Sequence, residues 1–284
     1  MRDLLHPRHL ASLRRFAGTD GEAPVLLAFD YDGVLAPLVT KPGGARMRRR
    51  TRALLVRLAR LYPLAVVSGR AWKDTRRFSE GVVPHVVGNH GFELLHPVPV
   101  PEAVLTAVRG WRRQLESELA GVPGVHFEDK RSTLAIHYGL STAWRRAEKA
   151  VFAAANRLEG TRLIPGKKVL NVLPHDFPNK GDAIRTLLAR LGLGAALYLG
   201  DDVTDEDAFR LGPPMVMGVH VGKGASLAPW RLATQERVDD LLEALVALRD
   251  GARARKAPRA RQARTAHPAG AVRKATRARI RSRR

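Results

Sequence analysis

The sequence of 284 residues contains no cysteine and no long apolar run. The first absence excludes disulfides, thiolate nucleophiles, iron–sulfur clusters and zinc sites with cysteine ligands. The second excludes a membrane-spanning helix, which needs roughly 18 consecutive apolar residues. Residues 1–16 are basic but lack the apolar centre and the small-residue cleavage site of a signal peptide, so we expect a cytoplasmic protein. Apolar residues still make up 45% of the chain, which is enough for a buried core.

Acidic residues are scarce, and the shortage is concentrated at one end of the chain. Lysine and arginine number 49 against 27 aspartates and glutamates, a net charge of +22. Residues 251–284 hold 13 of the basic residues and no acidic one, which leaves +9 for residues 1–250. This segment has too few apolar residues to fold, so we predict a disordered basic tail. Two interpretations remain open: a solvated extension without a dedicated role, or an arm that binds nucleic acid, polyphosphate or another polyanion nonspecifically.

Short apolar runs that end in glycine or acidic turns alternate with helical periodicity, which is typical of an α/β fold. The runs are apolar on both faces, as in a parallel sheet covered by helices. Strands of this kind are predicted at 25–29, 64–67, 86–87, 195–199 and 215–219. Helices are predicted between and after them at 46–61, 181–191 and 238–248.

The middle of the chain has a different pattern, with strand-like alternation and two amphipathic helices. The helices are predicted at 104–119 and 143–158, and the strands at 125–127, 132–138 and 168–173. We therefore predict a small α+β domain inserted into the parallel core. The predicted divisions are core 1–97 with a leader at 1–23, insertion 98–178, core 179–250 and tail 251–284. An insertion above the carboxyl ends of parallel strands is a usual place for ligand selection.

Carboxylates follow two of the predicted core strands. Asp30 and Asp32 come directly after the first strand, and five acidic residues within seven positions begin at Asp201 after the fourth. Crowded carboxylates repel each other unless a cation neutralises them. If the two strands are neighbours, Asp30, Asp32 and Asp201 meet at one edge and offer oxygen ligands that suit Mg²⁺ better than zinc. A turn role for the first pair, and a helix N-terminus for Asp205 and its acidic neighbours, are the alternatives.

Two further pieces of sequence suit a phosphoryl group. Ser68 and a glycine follow the second strand, where a hydroxyl and a backbone amide can bind an anion; an ordinary turn is the alternative. Lys180 lies at the start of a predicted helix, where its charge opposes the helix dipole. A bound anion explains that position, and a solvated surface lysine is the alternative. The sequence contains no nucleotide phosphate loop, no nucleophile elbow and no zinc signature.

The segments DYDGV, SGR, NKGD and GDDVTDE, in this order, resemble the haloacid dehalogenase superfamily of phosphohydrolases. With GNHGFE, FEDKRSTLAIHY and PGKKVLNVLP added, residues 24–248 are similar to the trehalose-6-phosphate phosphatase family. The resemblance implies a Rossmann-like parallel core, the haloacid dehalogenase fold, with the α+β insertion as a cap that closes over the site. It implies hydrolysis of trehalose 6-phosphate to trehalose and phosphate, the last step of trehalose biosynthesis.

The same resemblance implies the catalytic roles. Asp30 would attack phosphorus and become an aspartyl phosphate, while Asp32 would protonate the leaving sugar oxygen and then deprotonate the attacking water. Ser68 and Lys180 would neutralise the oxygens of the transferring phosphoryl group.

The resemblance also implies a Mg²⁺ cofactor. Asp30, the backbone carbonyl of Asp32 and Asp201 would hold the ion, and Asp202 and Asp205 would arrange its waters or Lys180. This metal assignment agrees with the oxygen-rich donor set.

For the sugar, the resemblance implies polar contacts from both domains, because each unmatched hydroxyl in a closed site costs a hydrogen bond. These residues are Arg70, Asn89, His90 and Glu93 in the core and Glu128, Lys130, His137 and Lys168 in the cap. The chain departs from the family pattern at Asn171, where a sugar-gripping glutamate is expected, at Leu173, where an arginine is expected, and at Val34, where threonine is usual. A related sugar or polyol phosphate is therefore the alternative substrate. We expect a monomer with no membrane partner.

Overall fold

The computed structural model describes residues 1–17, 24–39, 44–79, 81–96 and 99–265, with side chains up to Gly251. The first part of the core comprises β1 (Arg2–Asp3), α1 (Leu10–Phe16), β2 (Leu26–Phe29), α2 (Arg49–Leu58), β3 (Leu64–Val67), α3 (Trp72–Phe78), β4 (His85–Gly88) and β5 (Glu93–Leu94). The inserted elements, called the cap from here on, are α4 (Glu102–Glu118), β6 (His126–Asp129), β7 (Leu134–His137), α5 (Trp144–Ala155), β8 (Thr161–Gly166) and β9 (Val169–Pro174). The core resumes with α6 (Lys180–Leu191), β10 (Ala196–Gly200), α7 (Glu206–Phe209), β11 (Val216–Val221), β12 (Trp230–Leu232) and α8 (Arg237–Thr265).

The core is built on an eight-stranded sheet with the order β1-β12-β11-β10-β2-β3-β4-β5. All neighbouring strands are parallel except β4 and β5, which are antiparallel. Strands β2 and β10 are neighbours, with Phe29 opposite Leu199. The two strands that carry the predicted carboxylates therefore end side by side, which is the condition that the sequence left open.

The central strands are buried on both faces because helices cover each side of the sheet. In β2, Leu27 and Phe29 point into the cluster formed with α2 and α8, while Leu26 and Ala28 point into the cluster formed with α6 and α7. This two-sided burial is the reason that the strands appear in the sequence as continuous apolar runs.

Both ends of the described chain belong to elements of the core. The N-terminal segment contributes β1, which pairs with β12, and Leu4 and Leu13 are fully buried in the main cluster. Helix α8 continues to Thr265 and so includes residues 251–265 of the predicted tail; alanine and arginine dominate this stretch, and both favour helix. The rest of the predicted tail, 266–284, lies outside the described residues.

The cap is a four-stranded antiparallel sheet with the order β6-β7-β9-β8. Alternate side chains such as Ile136 and Val172 pack against α4 and α5. The opposite face carries the row Glu128, Ala135 and Asn171, which are cross-strand neighbours. The α+β character of the insertion is thus as predicted, with one additional strand, β8.

A small apolar cluster joins the cap to the core. It consists of Phe92, Val104, Ile164, Leu173 and Phe177, and is called the cap–core cluster below. Phe92 and Phe177 stack with their ring centroids 4.2 Å apart, and Leu173 is fully buried. None of the described helices is long and apolar enough to cross a membrane.

Candidate active site

The carboxyl ends of neighbouring parallel strands bring the predicted catalytic residues to one edge of the sheet. Asp30 follows β2, Ser68 follows β3 and Asp201 follows β10. The backbone amide of Asp30 donates to the carbonyl of Leu199, which ties the end of β2 to β10. Asp30 and Ser68 are buried at this edge, while Asp201 is partly exposed.

Lys180 lies at the centre of this edge. Its ammonium group is 2.7 Å from Asp205 Oδ1 and 3.2 Å from Asp30 Oδ1, and its side chain is only 1% exposed. Helix α6 places it there, because Asn179 caps the helix in a reciprocal pair with Asp182. Burial opposes the charge on Lys180, but Asp205 and Asp30 outweigh burial and raise the pKa of the ammonium group. The alternative of a solvated surface lysine is therefore wrong.

Asp205 is the anchor of Lys180. Its Oδ1 accepts from Lys180 and from the hydroxyl of Tyr198 at 2.5 Å, and its Oδ2 accepts from the backbone amides of Asp201 at 2.9 Å and Asp202 at 3.0 Å. These four donors occupy both oxygens. Asp205 therefore holds Lys180 and the backbone of Asp201 and Asp202 in place.

The carboxylates of Asp30, Asp201 and Asp205 each offer an oxygen within 4.8 Å of the others. Burial raises the pKa of Asp30, and the neighbouring carboxylates add to this effect against the attraction of Lys180. Burial and Asp205 raise the pKa of Asp201 to about 7. One lysine is thus too little positive charge for this cluster, and hard oxygen donors suit a divalent metal ion.

Gly33 leaves the space that this cluster needs. Its φ is +78°, and a Cβ atom there would lie 2.0 Å from Oδ2 of Asp201. A side chain at position 33 would therefore displace Asp201 from the edge of the sheet. The residues present fit a metal ion, with Asp30 and Asp201 as side-chain ligands.

The carboxylate of Asp32 points elsewhere. Arg70 binds it through two hydrogen bonds, from Nε to Oδ2 at 2.6 Å and from Nη2 to Oδ1 at 2.7 Å. Asp32 is therefore absent from the described aspartate cluster as a side chain, which leaves only its backbone carbonyl for the metal role given above.

Residues 88–91 form a strained turn beside Ser68. Asn89 and His90 both adopt left-handed backbone conformations, with φ of 45° and 58°. Hydrogen bonds hold the turn in place: the amide of Asn89 donates to the carbonyl of Arg70, and that of His90 to the carbonyl of Ser68. The Asn89 amide group also donates to Ser132 Oγ of the cap at 3.4 Å. Strain that the surroundings stabilise in this way is common at functional sites.

His90 is a neutral imidazole in a cationic environment. Burial lowers its pKa well below the usual value, and the charges of Lys130, Lys180 and Arg162 lower the pKa further. His90 Nδ1 and Asn89 Oδ1 are buried and have no hydrogen-bond partner among the described residues. Two unpartnered polar atoms at a cap–core boundary indicate a place for a polar ligand.

The cap residues predicted for sugar binding divide into two groups. Glu128 and His137 form a pair at 2.9 Å on the face of the cap sheet that looks toward the core. Burial lowers the pKa of Lys130, while the charges of Glu128 and Asp32 oppose this lowering. Glu128 belongs to the cap and Asp32 to the core, so Lys130 lies near both domains. Lys168, in contrast, lies with its ammonium group 5.1 Å from the centre of the Trp144 ring.

Glu93 also has a structural partner, because its Oε2 accepts from the backbone amide of Trp72 at the start of α3 at 2.6 Å. Two residues near the site were not predicted from the sequence, Tyr198 and Arg162. Tyr198 is hidden in the apolar run of β10, and Arg162 lies in β8, which the sequence does not predict.

Comparison with known proteins agrees with this geometry. The trehalose-phosphatase family profile matches residues 28–232, which is more than half of the chain. The chain belongs to the trehalose-phosphatase family. It is 34% identical over 250 residues to the trehalose-phosphate phosphatase of Mycolicibacterium paratuberculosis, covering 80% of this chain and 63% of that protein. It is 29% identical over 221 residues to probable trehalose-phosphate phosphatase 4 of Oryza sativa, covering 72% of this chain and 60% of that protein. The family member described here thus spans about three fifths of the length of these curated relatives.

Solved structures of trehalose-6-phosphate phosphatases share the fold of this chain. The C-terminal domain of the C. albicans trehalose-6-phosphate phosphatase superposes with a TM-score of 0.70 at 21% identity, over 84% of this chain and 96% of that one. The Aspergillus fumigatus trehalose-6-phosphate phosphatase superposes with a TM-score of 0.60 at 24% identity, over 87% and 99%. The prediction of a haloacid dehalogenase fold is confirmed.

Proposed function

We propose that this family member hydrolyses trehalose 6-phosphate to trehalose and phosphate through an aspartyl-phosphate intermediate. The single observation that carries the proposal is the buried Lys180, which lies between Asp30 and Asp205 at the edge shared by Ser68. A lysine held there by two carboxylates neutralises a transferring phosphoryl group without needing to move. Family membership and the names of the relatives support the substrate.

In the first half of the reaction, an oxygen of Asp30 attacks phosphorus while the bond from phosphorus to the sugar oxygen breaks. The proton of the Asp32 carboxyl group passes to that oxygen, and trehalose leaves. In the second half, Asp32 takes a proton from water, the water oxygen attacks phosphorus, and the bond to Asp30 breaks to release phosphate. Ser68 and Lys180 balance the charge on the phosphoryl oxygens in both halves.

The metal ion proposed for this reaction is Mg²⁺, held by Asp30, Asp201 and the backbone carbonyl of Asp32. When bound, it would neutralise negative charge on the phosphoryl group and favour the ionised form of Asp30. Asp202 and Asp205 arrange the surroundings of the ion. The cap excludes water from the site, and the proposed sugar contacts are Asn89, His90, Glu93, Glu128, Lys130, His137 and Lys168. Arg70, which the resemblance adds to this group, is bound to Asp32.

The experiment is a phosphate-release assay on a panel of sugar phosphates, with and without EDTA. We expect trehalose 6-phosphate to have the highest kcat/KM and EDTA to abolish turnover. Asp30→Asn is expected to be inactive, while Asp176→Asn, a matched change at a fully exposed aspartate, should retain wild-type activity. Equal turnover of all substrates would contradict the trehalose assignment. Metal-independent turnover, or an active Asp30→Asn variant, would contradict the mechanism.

A related sugar or polyol phosphate is the second candidate substrate, because two positions depart from the family pattern. Leu173 is buried in the cap–core cluster and does not reach a ligand. The side-chain amide of Asn171 donates to the carbonyl of Ile164 at 3.4 Å. If a glutamate at position 171 improves sugar binding, Asn171→Glu should lower KM for trehalose 6-phosphate. An unchanged KM, together with a higher kcat/KM for another sugar phosphate in the panel, would favour the second candidate.

The remaining proposals concern partners and location. We propose a cytoplasmic monomer whose residues 251–284 contact polyanions through their 13 basic residues. Truncation after Asp250 should then abolish nucleic-acid binding and its steep decline with salt, and leave the phosphatase intact. Nucleic-acid binding that survives truncation would show that residues 251–284 are not responsible for it. Light scattering of the full chain tests the monomer, and cell fractionation tests the location.

A further inference from the structure

Arg70 holds Asp32 by both carboxylate oxygens. The two contacts, 2.6 Å from Nε and 2.7 Å from Nη2, form a side-on fork in which both oxygens of the carboxylate accept a hydrogen bond. Such a pair determines the orientation of the carboxylate plane as well as its position. The side chains are 16% and 29% exposed, so solvent competes only partly for the contact.

Arg70 is itself held in place by the surrounding core. Its backbone amide donates to Ser68 Oγ at 3.2 Å, and its carbonyl accepts from the amide of Asn89 at 2.7 Å. The guanidinium carbon lies 4.9 Å from the centre of the Phe78 ring. A lysine would keep the charge but lose the fork and much of the stacking. The arrangement therefore depends on arginine in particular.

The cap adds charge to the same place. Asp32 and Arg70 belong to the core, Glu128 and Lys130 belong to the cap, and their charges alternate in sign. The hydrogen bond from His137 is the main cause that lowers the pKa of Glu128, and the charge of Arg70 contributes. Glu128 and Asp32 in turn favour the charged form of Lys130, which burial opposes by lowering its pKa. The cap thus places charges of both signs near the pair that Arg70 forms with Asp32.

We propose that Arg70 is a positioning residue, which holds the Asp32 carboxyl group in line with the sugar oxygen. This inference rests on the proposed phosphatase function. It differs from the direct sugar contact that the resemblance implies for Arg70, because the structure directs Nε and Nη2 toward Asp32.

Loss of the Arg70 contact should affect substrates with poor and good leaving groups differently. A sugar alkoxide is a poor leaving group and needs the proton that Asp32 supplies, whereas 4-nitrophenolate leaves without one. A misaligned Asp32 should therefore slow the first half of the reaction, release of the leaving group, far more for a sugar phosphate than for 4-nitrophenyl phosphate. The second half, hydrolysis of the aspartyl phosphate, is common to both substrates. A purely structural role of Arg70 would slow both substrates alike.

The test uses the full chain with Mg²⁺ and the variants Arg70→Met and Arg70→Lys. Positioned proton transfer contributes about 10²-fold or more to rate, so Arg70→Met should lower the single-turnover rate of trehalose release at saturating trehalose 6-phosphate by about 100-fold. The same variant should lower the single-turnover rate of 4-nitrophenol release by less than about 10-fold, with little change in the substrate concentration that gives half the maximal rate. Arg70→Lys should show the same selective loss to a smaller extent, and it decides the question if Arg70→Met does not fold.

Arg77→Met is the matched control. The Arg77 guanidinium lies 4.8 Å from the centre of the same Phe78 ring but pairs with Asp74 instead of Asp32. It should leave both activities unchanged.

Equal losses in the single-turnover rates of leaving-group release would overturn the proposal. An unchanged rate at saturation with a higher half-saturating concentration of trehalose 6-phosphate would also overturn it, because that result indicates direct sugar binding. Failure of the underlying function is distinguishable, because it would appear in the wild-type protein as no turnover of trehalose 6-phosphate, or as an active Asp30→Asn variant.

Discussion

Replacement of Lys180 by methionine removes the only cation bound directly to Asp30 and Asp205 among the described contacts. The methionine has a similar length and keeps the apolar part of the side chain. It leaves two carboxylates without their partner at a position that is 1% exposed. Removal of one partner of a buried ion pair costs about 3–5 kcal/mol. We therefore expect the metal-free variant to lose about 3–5 kcal/mol of unfolding free energy at pH 8.

The loss should depend on pH in a direction that follows from the carboxylates. Burial already raises the pKa of Asp30 above its ordinary value of 3.8, and removal of Lys180 raises this pKa further. A native-state pKa above the unfolded one means that the native protein binds more protons, so stability falls as pH rises from about 4. Each carboxylate that takes up a proton in the variant recovers about 1.4 kcal/mol per pH unit. The difference from wild type should therefore be smaller at pH 5.5 than at pH 8.

The assay is urea denaturation in EDTA, followed by tryptophan fluorescence at both pH values. Lys149→Met, at an exposed lysine of α5, is the matched control and should change stability by less than about 0.5 kcal/mol. The double variant Lys180→Met/Asp205→Asn should recover part of the loss, because one of the two unpaired charges is gone. A loss below about 1 kcal/mol at pH 8, or one that does not change with pH, would refute this account of the site.

Three further predictions concern the metal, the neutral histidine and the cap. Gly33→Ala should weaken divalent-metal affinity, measured by calorimetry, by about 10-fold or more, because the added Cβ displaces Asp201. The control Gly192→Ala also changes a glycine at positive φ but has no neighbour within 4 Å, so it should lower only stability. An unchanged metal affinity of Gly33→Ala would contradict the metal site at Asp30 and Asp201. Burial lowers the pKa of His90, so the unfolded chain binds a proton on this histidine before the native chain does as pH falls below about 6.5. The wild-type protein should therefore lose about 1 kcal/mol more unfolding free energy than His90→Asn between pH 7 and pH 5.5. Equal losses in the two proteins would show that His90 is solvated. Phe177→Ala should lower the unfolding free energy, measured by thermal denaturation, by about 3 kcal/mol, since Phe177 is buried in the cap–core cluster. A loss below about 1 kcal/mol would show that this cluster does not anchor the cap.

The strands that form the catalytic edge could be predicted from the sequence because each is short, apolar and followed by a polar turn. The structure has β3 at Leu64–Val67 as predicted, and β2 and β10 each begin one residue later than predicted. Two-sided burial produces this pattern wherever the strand lies in the sheet. Local information was therefore sufficient for these elements.

Elements at or near the edges of the sheets could not be predicted in the same way. Strand β8 contains arginine and proline and becomes a strand through its six-residue pairing with β9. Strands β1 and β12 pair with each other although they lie at opposite ends of the chain. Edge strands carry less apolar sequence, so their existence depends on a neighbour that local patterns do not identify.

The partners of the charged residues also depend on tertiary structure. Asp32 and Arg70 are 38 residues apart, and Lys180 and Asp205 are 25 apart. No spacing rule relates such positions, because the order of strands in the sheet decides which turns meet. The residues alone indicated that Lys180 needed an anion, and only the resemblance named Asp205 among the residues that could arrange it. The folded chain brings the two into contact.

The identity of the chemistry was set by composition and order: aspartates after two apolar strands, a hydroxyl after a third and a lysine at the start of a helix. These features are local, and physical chemistry limits what they can do wherever they lie. The assignment of each carboxylate was decided by the folded chain alone. Only there does Asp32 turn to Arg70 while Asp30 and Asp201 remain together, because burial and distance determine which charges neutralise each other.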